Sequence, residues 1–428
     1  MRQAFGVKLF AVRMIVTLLS AVTPALPAYC QKEGWDFRFS GFVDPQLFMD
    51  SRQVVGAREG QLSFYPAPRI PDADGNDINA VPNMNMLAIT TRLGLRIKAP
   101  DLGATKVLSY LEGDFTGSTE AGINMLRLRH AYVGLLRGRS EWLFGQYWHP
   151  LVVPGIMPGT RPLNMGIPFH PYSRYVQARY LCRSSASYPF VQLEAVAAFQ
   201  LDNAATGPSG KSTAYLRNAF LPQGNMQLRY VWGSGFVGGM LNAEVLRPRN
   251  SYEDAAGLRH RTSATFSSFA LSVFGRQDFG EWSLRCQGIY GDNLFEQGLL
   301  GGYVETRFSP DTDYGYRPFG CTSLWADFRR ISGRWRPGLF LGYAKNNAFG
   351  HWHDADAVVY GRGFELDNVW RVQPQLAFCP NESIHFFTEI EYTSAQYGEK
   401  LSDGNKARFL SGDAVGNVRI ILEAVFFF

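Results

Sequence analysis

Residues 417–428 read NVRIILEAVFFF. Taken in twos, Val418, Ile420, Leu422, Ala424, Phe426 and Phe428 fall on one side, and Asn417, Arg419 and Glu423 on the other. This is the period of a β-strand with two unlike faces. Chain ends are usually polar and frayed, and three aromatic rings left in water would promote association. The apolar face therefore needs a medium, and the rest of the chain has to say which.

The same alternation recurs. In TRLGLRIK (91–98), Leu93, Leu95 and Ile97 oppose Arg92, Gly94, Arg96 and Lys98. RCQGIY (285–290), VWRVQPQLAF (369–378) and IHFFTEIEY (384–392) repeat it. A soluble sandwich would bury the apolar face, whereas a membrane barrel would turn it to lipid and its polar face to a lumen. Strand length and loop length decide between them.

Sixteen candidate strands are readable: 35–48, 85–98, 104–115, 122–137, 140–148, 173–183, 188–201, 224–233, 235–247, 259–275, 281–292, 320–331, 335–346, 366–379, 383–396 and 417–428. Many are longer than globular strands and suit a tilted membrane strand. Short connections such as RGRS, GSG, ISGR and PNE alternate with long ones at 51–84, 149–172, 202–223, 293–319, 347–365 and 397–416. A sandwich gives no reason to sort loops by parity. The expected fold is all-β, a 16-stranded antiparallel transmembrane β-barrel with short periplasmic turns and long extracellular loops.

The first residues fit that compartment. Arg2, Lys8 and Arg13 precede the apolar stretch 14–22, and PALPA ends at Ala28. This is the layout of a secretory signal peptide, 1–28, cleaved after Ala28 or alternatively after Ala25, leaving 29–428 as the barrel. Tyr29 is too large to precede a lipidated cysteine, so Cys30 is read as incidental. Without Arg2, Lys8 and Arg13, the 42 Lys+Arg fall to 39 against 37 Asp+Glu, so no basic footprint for nucleic acid exists. The 5 cysteines are scattered, with no CxxC and no Cys/His metal spacing.

VLSYLEGDF (107–115), LRLRHAYVGL (126–135) and WLFGQYWHP (142–150) resemble successive strands of Gram-negative outer-membrane porins, in particular the DcaP-like group. There an R-h-A-Y strand and a G-Q-x-W strand precede a long third loop; here the second element is Gly145-Gln146-Tyr147-Trp148. The resemblance implies a homotrimer of such barrels in the outer membrane that passes small hydrophilic, often anionic, solutes. It also implies that a terminal aromatic is read by the barrel-assembly machinery, which would use Phe426 and Phe428, both on the lipid face.

An arginine on the lipid face at mid-membrane costs about 2–4 kcal/mol, so strand arginines should face the lumen. By parity these are Arg38, Arg92, Arg96, Arg127, Arg129, Arg179, Arg229, Arg285, Arg329, Arg336, Arg371 and Arg419. The acids are Asp44, Glu112, Asp114, Glu194, Glu244, Asp327, Glu389, Glu391 and Glu423. The arginine excess favours anions such as carboxylates or phosphates; the plainer reading is that these charges pair among themselves. His130 falls on the apolar side of its strand, where a subunit interface would hold it, and 259–275 shows no clean face.

The third long loop, 149–172, carries six prolines and Arg161, a composition that suits a compact irregular fold. It is expected to fold into the pore, with Arg161 and Arg174 at the constriction and Arg92, Arg96, Arg127, Arg129, Arg179, Glu112, Asp114 and Gln146 on the wall.

Other motifs carry less. Gly233, Gly235 and Gly238 match a nucleotide fingerprint, but an alternating strand follows instead of a helix. DADGND (72–77) has Asp77 and Asn83 where a calcium loop needs Gly and Glu. His351 and His353 lack a third ligand. No nucleophile motif accompanies His130 or His385, so neither an enzyme nor a cofactor is expected. Two functions follow: a diffusion channel, or a structural or adhesive barrel whose long loops hold a surface partner.

Overall fold

The computed structural model describes residues 34–161, 165–307, 309, 311–347, 357–403 and 406–428, with backbone only over 399–403 and 406–411. The leader expected over 1–28, Cys30 and the His351–His353 pair lie outside the described residues.

Sixteen antiparallel staves close on themselves. β1 consists of Asp36–Val43 and Gln46–Asp50, and β2 of Asn83–Leu87 and Arg92–Lys98. Next come β3 (Lys106–Asp114), β4 (Arg127–Arg137), β5 (Ser140–Trp148), β6 (Arg174–Arg183) and β7 (Phe190–Phe199). They are followed by β8 (Gln223–Trp232), β9 (Gly235–Leu246), β10 (Phe266–Phe279), β11 (Trp282–Asp292) and β12 (Gly315–Arg330). The last four are β13 (Trp335–Asn347), β14 (Leu366–Phe378), β15 (Ile384–Asp403) and β16 (Lys406–Phe427). Each pairs with its neighbours in sequence, and β16 returns to β1 with Glu423 opposite Gln46 and Phe427 opposite Phe42. Gly41 N–H donates to Phe428 O at 2.9 Å and Phe428 N–H to Gly41 O at 3.1 Å, completing the ring. A closed sheet leaves no edge to pair with another chain.

Outward positions are apolar and exposed, among them Leu93, Leu228, Leu241, Phe269, Ile390 and Leu422. The charged residues of the same strands point inward, including the buried Arg129, Asp114, Asp327, Glu389, Arg371 and Arg419. Such an exterior fits the hydrocarbon of a bacterial outer membrane. The short connections gather at the end that carries Gly34 and Phe428, called here the terminal end; the opposite end carries the long loops.

Four readings of the sequence are corrected. β10 begins at Phe266, not 259, because Arg259–Arg261 belongs to a loop hairpin with Ser251–Glu253. Its alternation is then regular. β4 begins at Arg127 rather than 122. The span 397–416 is mostly ladder, since β15 and β16 stay paired as far as Asp403 and Lys406, with one bulge between Gln396 and Gly398. Finally, Arg38 does not line the lumen interior. It stands exposed at the terminal end beside Asp36, 2.9 Å away.

The lumen is not uniformly polar. Phe274, Trp325, Phe340, Ala344 and Val369 point inward and are buried. They pack with Leu151, Val152, Val153, Ile156, Ile167 and Phe169 of the third long connection, 149–173. Burial of each such side chain contributes about 1.5–3 kcal/mol, so the connection is held inside the barrel by a core of its own.

Candidate functional site: the lumen and its inward loop

The wall motif at β4 and β5 has a local cause. The ladder of β3 and β4 slips between Glu112 and Gly113, so Glu112 faces His130 while Gly113 faces Leu128. Arg129 is the extra residue of this bulge. The slip turns both Arg129 and His130 inward, which corrects the placement of His130 on the lipid side. Its ring packs edge-on against Trp148 at 5.1 Å and lies 5.3 Å from Tyr147. A bulge strands backbone carbonyls, and the Gln146 side-chain amide takes them up, donating to Leu128 O at 3.0 Å and Arg129 O at 3.1 Å. Gly145 sits at φ 128°, and a Cβ there would lie 2.2 Å from Ala131 O. The Gly-Gln pair is therefore what the bulge requires of its neighbour strand.

Arg127 grips Asp114 with two bonds, 3.0 and 2.9 Å. Arg129 bridges Glu112 and Asp114, each at 2.7 Å, and also donates to Tyr172 Oη at 3.0 Å. Arg92 stands 3.7 Å from Glu112. Arg174, wholly buried, lies 5.3 Å from the Trp148 and Tyr172 ring centres and 3.8 Å from Asp202. Five of the anticipated residues, Arg92, Arg127, Arg129, Glu112 and Asp114, thus form one ion-pair network. It braces the returning arm of the loop at Tyr172 and spends most of its charge internally.

Three others lie elsewhere. Arg179 pairs with Glu194 at 3.2 Å and donates to Trp148 O at 2.8 Å. Arg96 is exposed nearer the terminal end. Arg161 is far round the ring: its N–H donates to both Glu389 oxygens, 3.0 and 3.1 Å, and its Nε to Glu423 at 3.0 Å. Further wall bonds hold the same loop. Asp327 accepts Gly159 N–H at 3.0 Å, Ser323 Oγ–H donates to Phe169 O at 2.8 Å, and Gln287 donates to Leu151 O at 3.0 Å. At Gly159 a Cβ would sit 1.7 Å from Arg329 Nη1, so a larger residue there would push the Arg329 guanidinium aside. A buried loop needs partners for its backbone groups, and this wall supplies them.

Toward the terminal end, two lumen cavities flank the loop. One, of about 250 Å³, is lined by Gly159, Arg285, Arg329, Arg330, Arg336, His385 and Phe387 among others. The other, of about 260 Å³, holds Pro154, Gly155, Arg179, Arg183 and Arg229 with Glu141 and Glu194. Arg285 bonds Ser283 Oγ and the Met157 carbonyl, Arg336 the Gly333 carbonyl, and Arg229 the Gln227 side chain; none of the three is ion-paired among the described residues. Arg329 meets Asp327 at 2.7 Å, but its Nη2 is buried without a bond among the described residues. Fixed guanidinium groups in a low-dielectric cleft concentrate anions. Sequence parity placed Arg229, Arg285, Arg329 and Arg336 on the lumen face but gave no sign that they outweigh Arg127 and Arg129. The signal lay in the carboxylates: Glu112 and Asp114 sit on the strand adjoining Arg127 and Arg129.

The acidic turn at 72–77 is locally satisfied. Asp72 accepts N–H groups from Asn76 at 2.8 Å and Asp74 at 2.9 Å, and these bonds, Asn76 foremost, hold its carboxyl below the usual range. Asp77 accepts from Arg52, Ile70 and Asn79. Residues 233–234 form the tight turn between β8 and β9, with Gly235 opening β9 opposite Trp232.

No family model matches this chain, and no curated protein matches it. Solved structures do. The outer membrane channel DcaP of Acinetobacter baumannii matches with a TM-score of 0.66 at 18% identity, over 93% of this chain and 99% of that one. The anion-selective porin from Comamonas acidovorans gives 0.55 at 11%, over 92% and 100%. OmpT of Vibrio cholerae gives 0.53 at 10%, over 93% and 99%. At these identities the likeness establishes the fold, that of DcaP-like and other outer-membrane barrels.

Proposed function

We propose that this chain, with the fold of DcaP-like outer-membrane porins, forms a water-filled diffusion channel for small hydrophilic solutes and prefers anions. One observation carries the preference. Seven arginines line the two terminal-end cavities; Arg179, Arg329 and Arg330 are paired with Glu194, Asp327 and Glu281, whereas Arg183, Arg229, Arg285 and Arg336 have no ion pair among the described residues. Carboxylates and phosphates match the forked donor geometry of guanidinium. The ion-pair network at Arg127 and Arg129 serves to hold the loop, so selectivity belongs to the cavities. The working assembly is a homotrimer, in keeping with the trimer form in which OmpT of Vibrio cholerae is also known. Phe426 and Phe428, exposed on the outer face, serve membrane anchoring and recognition by the assembly machinery.

Purified, folded protein in planar bilayers tests this. Ohmic conductance and a reversal potential favouring chloride in a potassium chloride gradient are expected. An absence of conductance would remove the channel reading. Cation preference would remove the arginine argument and leave the channel.

A further inference from the structure

The first long connection, 51–82, does more than join β1 to β2. Its hairpin, Val54–Ala57 paired with Leu62–Pro66, turns back inside the barrel. Gln61, Ser63, Phe64 and Tyr65 are buried there, and Phe64 and Tyr65 join the same apolar cluster as Ile167 and Phe169 of the third connection. Hairpin carbonyls meet wall donors in order. Arg419 on β16 donates to Gly60 O at 2.7 Å and Gln61 O at 3.2 Å. Arg371 on β14 donates from Nη2 to Ser63 O at 3.2 Å and Phe64 O at 3.3 Å. The other arm of Arg371, Nη1, donates to Ile167 O at 2.7 Å.

We infer that the 54–66 hairpin is a second constriction element and that Arg371 is the positioning residue that sets the aperture by holding both inward segments on one guanidinium. Arg371 is itself fixed by the wall, with Nε donating to Thr393 Oγ1 at 2.8 Å and Nη2 lying 3.0 Å from Glu391. Its five donors in a rigid fork reach wall and two loops together, which three donors on a flexible ammonium do not reproduce. Loops normally run over the surface because their backbone groups need water. Here the wall replaces water with matched donors at successive carbonyls. The hairpin's outgoing end is fixed as well: Tyr65 Oη donates to Glu365 at 3.1 Å and Tyr397 Oη to Pro66 O at 2.7 Å.

The inference rests on the channel reading, and its test separates the two. Single-channel conductance and the size cut-off for neutral sugars in liposome swelling are measured for wild type, Arg371→Ala and Arg371→Lys, alongside reversal potential. Both variants are expected to conduct more and to lose the wild-type cut-off, with the sign of the reversal potential kept. Unchanged conductance and cut-off in folded Arg371→Ala overturn the inference, as does wild-type behaviour of Arg371→Lys, which would leave only a charge effect. Should Arg371→Ala fail to fold, replacing 54–66 with a short Gly-Ser linker makes the same measurement without touching the barrel ladder. No rise in its conductance would also overturn the inference. A silent wild type fails the channel reading instead.

Discussion

Arg161 Nε lies 3.0 Å from Glu423 Oε2, tying the third long connection to a strand far from the two it joins. Glu423 is fully buried at its side chain, so Arg161→Ala strands its carboxylate and removes one of the loop's ties to the wall. Loss of this charge-assisted bond should cost about 1.5–3 kcal/mol of barrel stability. Urea unfolding in lipid vesicles reads the loss, and bilayer records should show noisier open current. Unaltered stability and quiet current would contradict the described seating of the loop.

Asp114 is the hub of the β3–β4 network, accepting from both Arg127 and Arg129. Asp114→Asn leaves two buried guanidinium groups short of a partner. The expected loss is about 3–5 kcal/mol, measured by the same unfolding. Reversal potential should keep its sign, because the terminal-end cavities are untouched.

Gln146→Leu removes the amide that serves Leu128 O and Arg129 O. One buried and one part-buried carbonyl lose their side-chain donor, at about 1–3 kcal/mol. Hydrogen exchange should accelerate across β4 and β5 before it does elsewhere. Uniform protection would mean that the bulge does not depend on Gln146.

Deleting Phe428 removes both backbone bonds to Gly41 at the closing seam. Folding into liposomes should slow, with less protein reaching the heat-modifiable folded form. Channels that do fold should conduct as wild type, because Phe428 is exposed on the outer face.

How far the sequence spoke depends on which side of the wall a residue faces. Lipid admits only apolar side chains, so the outward positions Leu93, Ile390 and Leu422 reported the strand period without exceptions nearby. The lumen is less strict. Phe274 and Phe340 face inward because a loop covers them, and that contact is long in sequence and unmarked by period. The same holds for the hairpin at 54–66, whose buried backbone is satisfied by Arg371 and Arg419 from the far end of the chain. His130 misled because one bulge residue, Arg129, reverses parity beyond it. The arginine excess was legible as a list, but its division into paired and unpaired groups required the register of neighbouring strands.

In the proposed channel, guanidinium groups in the terminal-end cavities set anion preference. Arg285, Arg329 and Arg336 share one cavity of about 250 Å³. The direct test is the reversal potential of Arg285→Gln/Arg329→Gln/Arg336→Gln beside wild type in a potassium chloride gradient. Wild type is expected to favour chloride and the triple variant to move toward zero or toward potassium. A triple variant that conducts with the wild-type reversal potential would contradict the account.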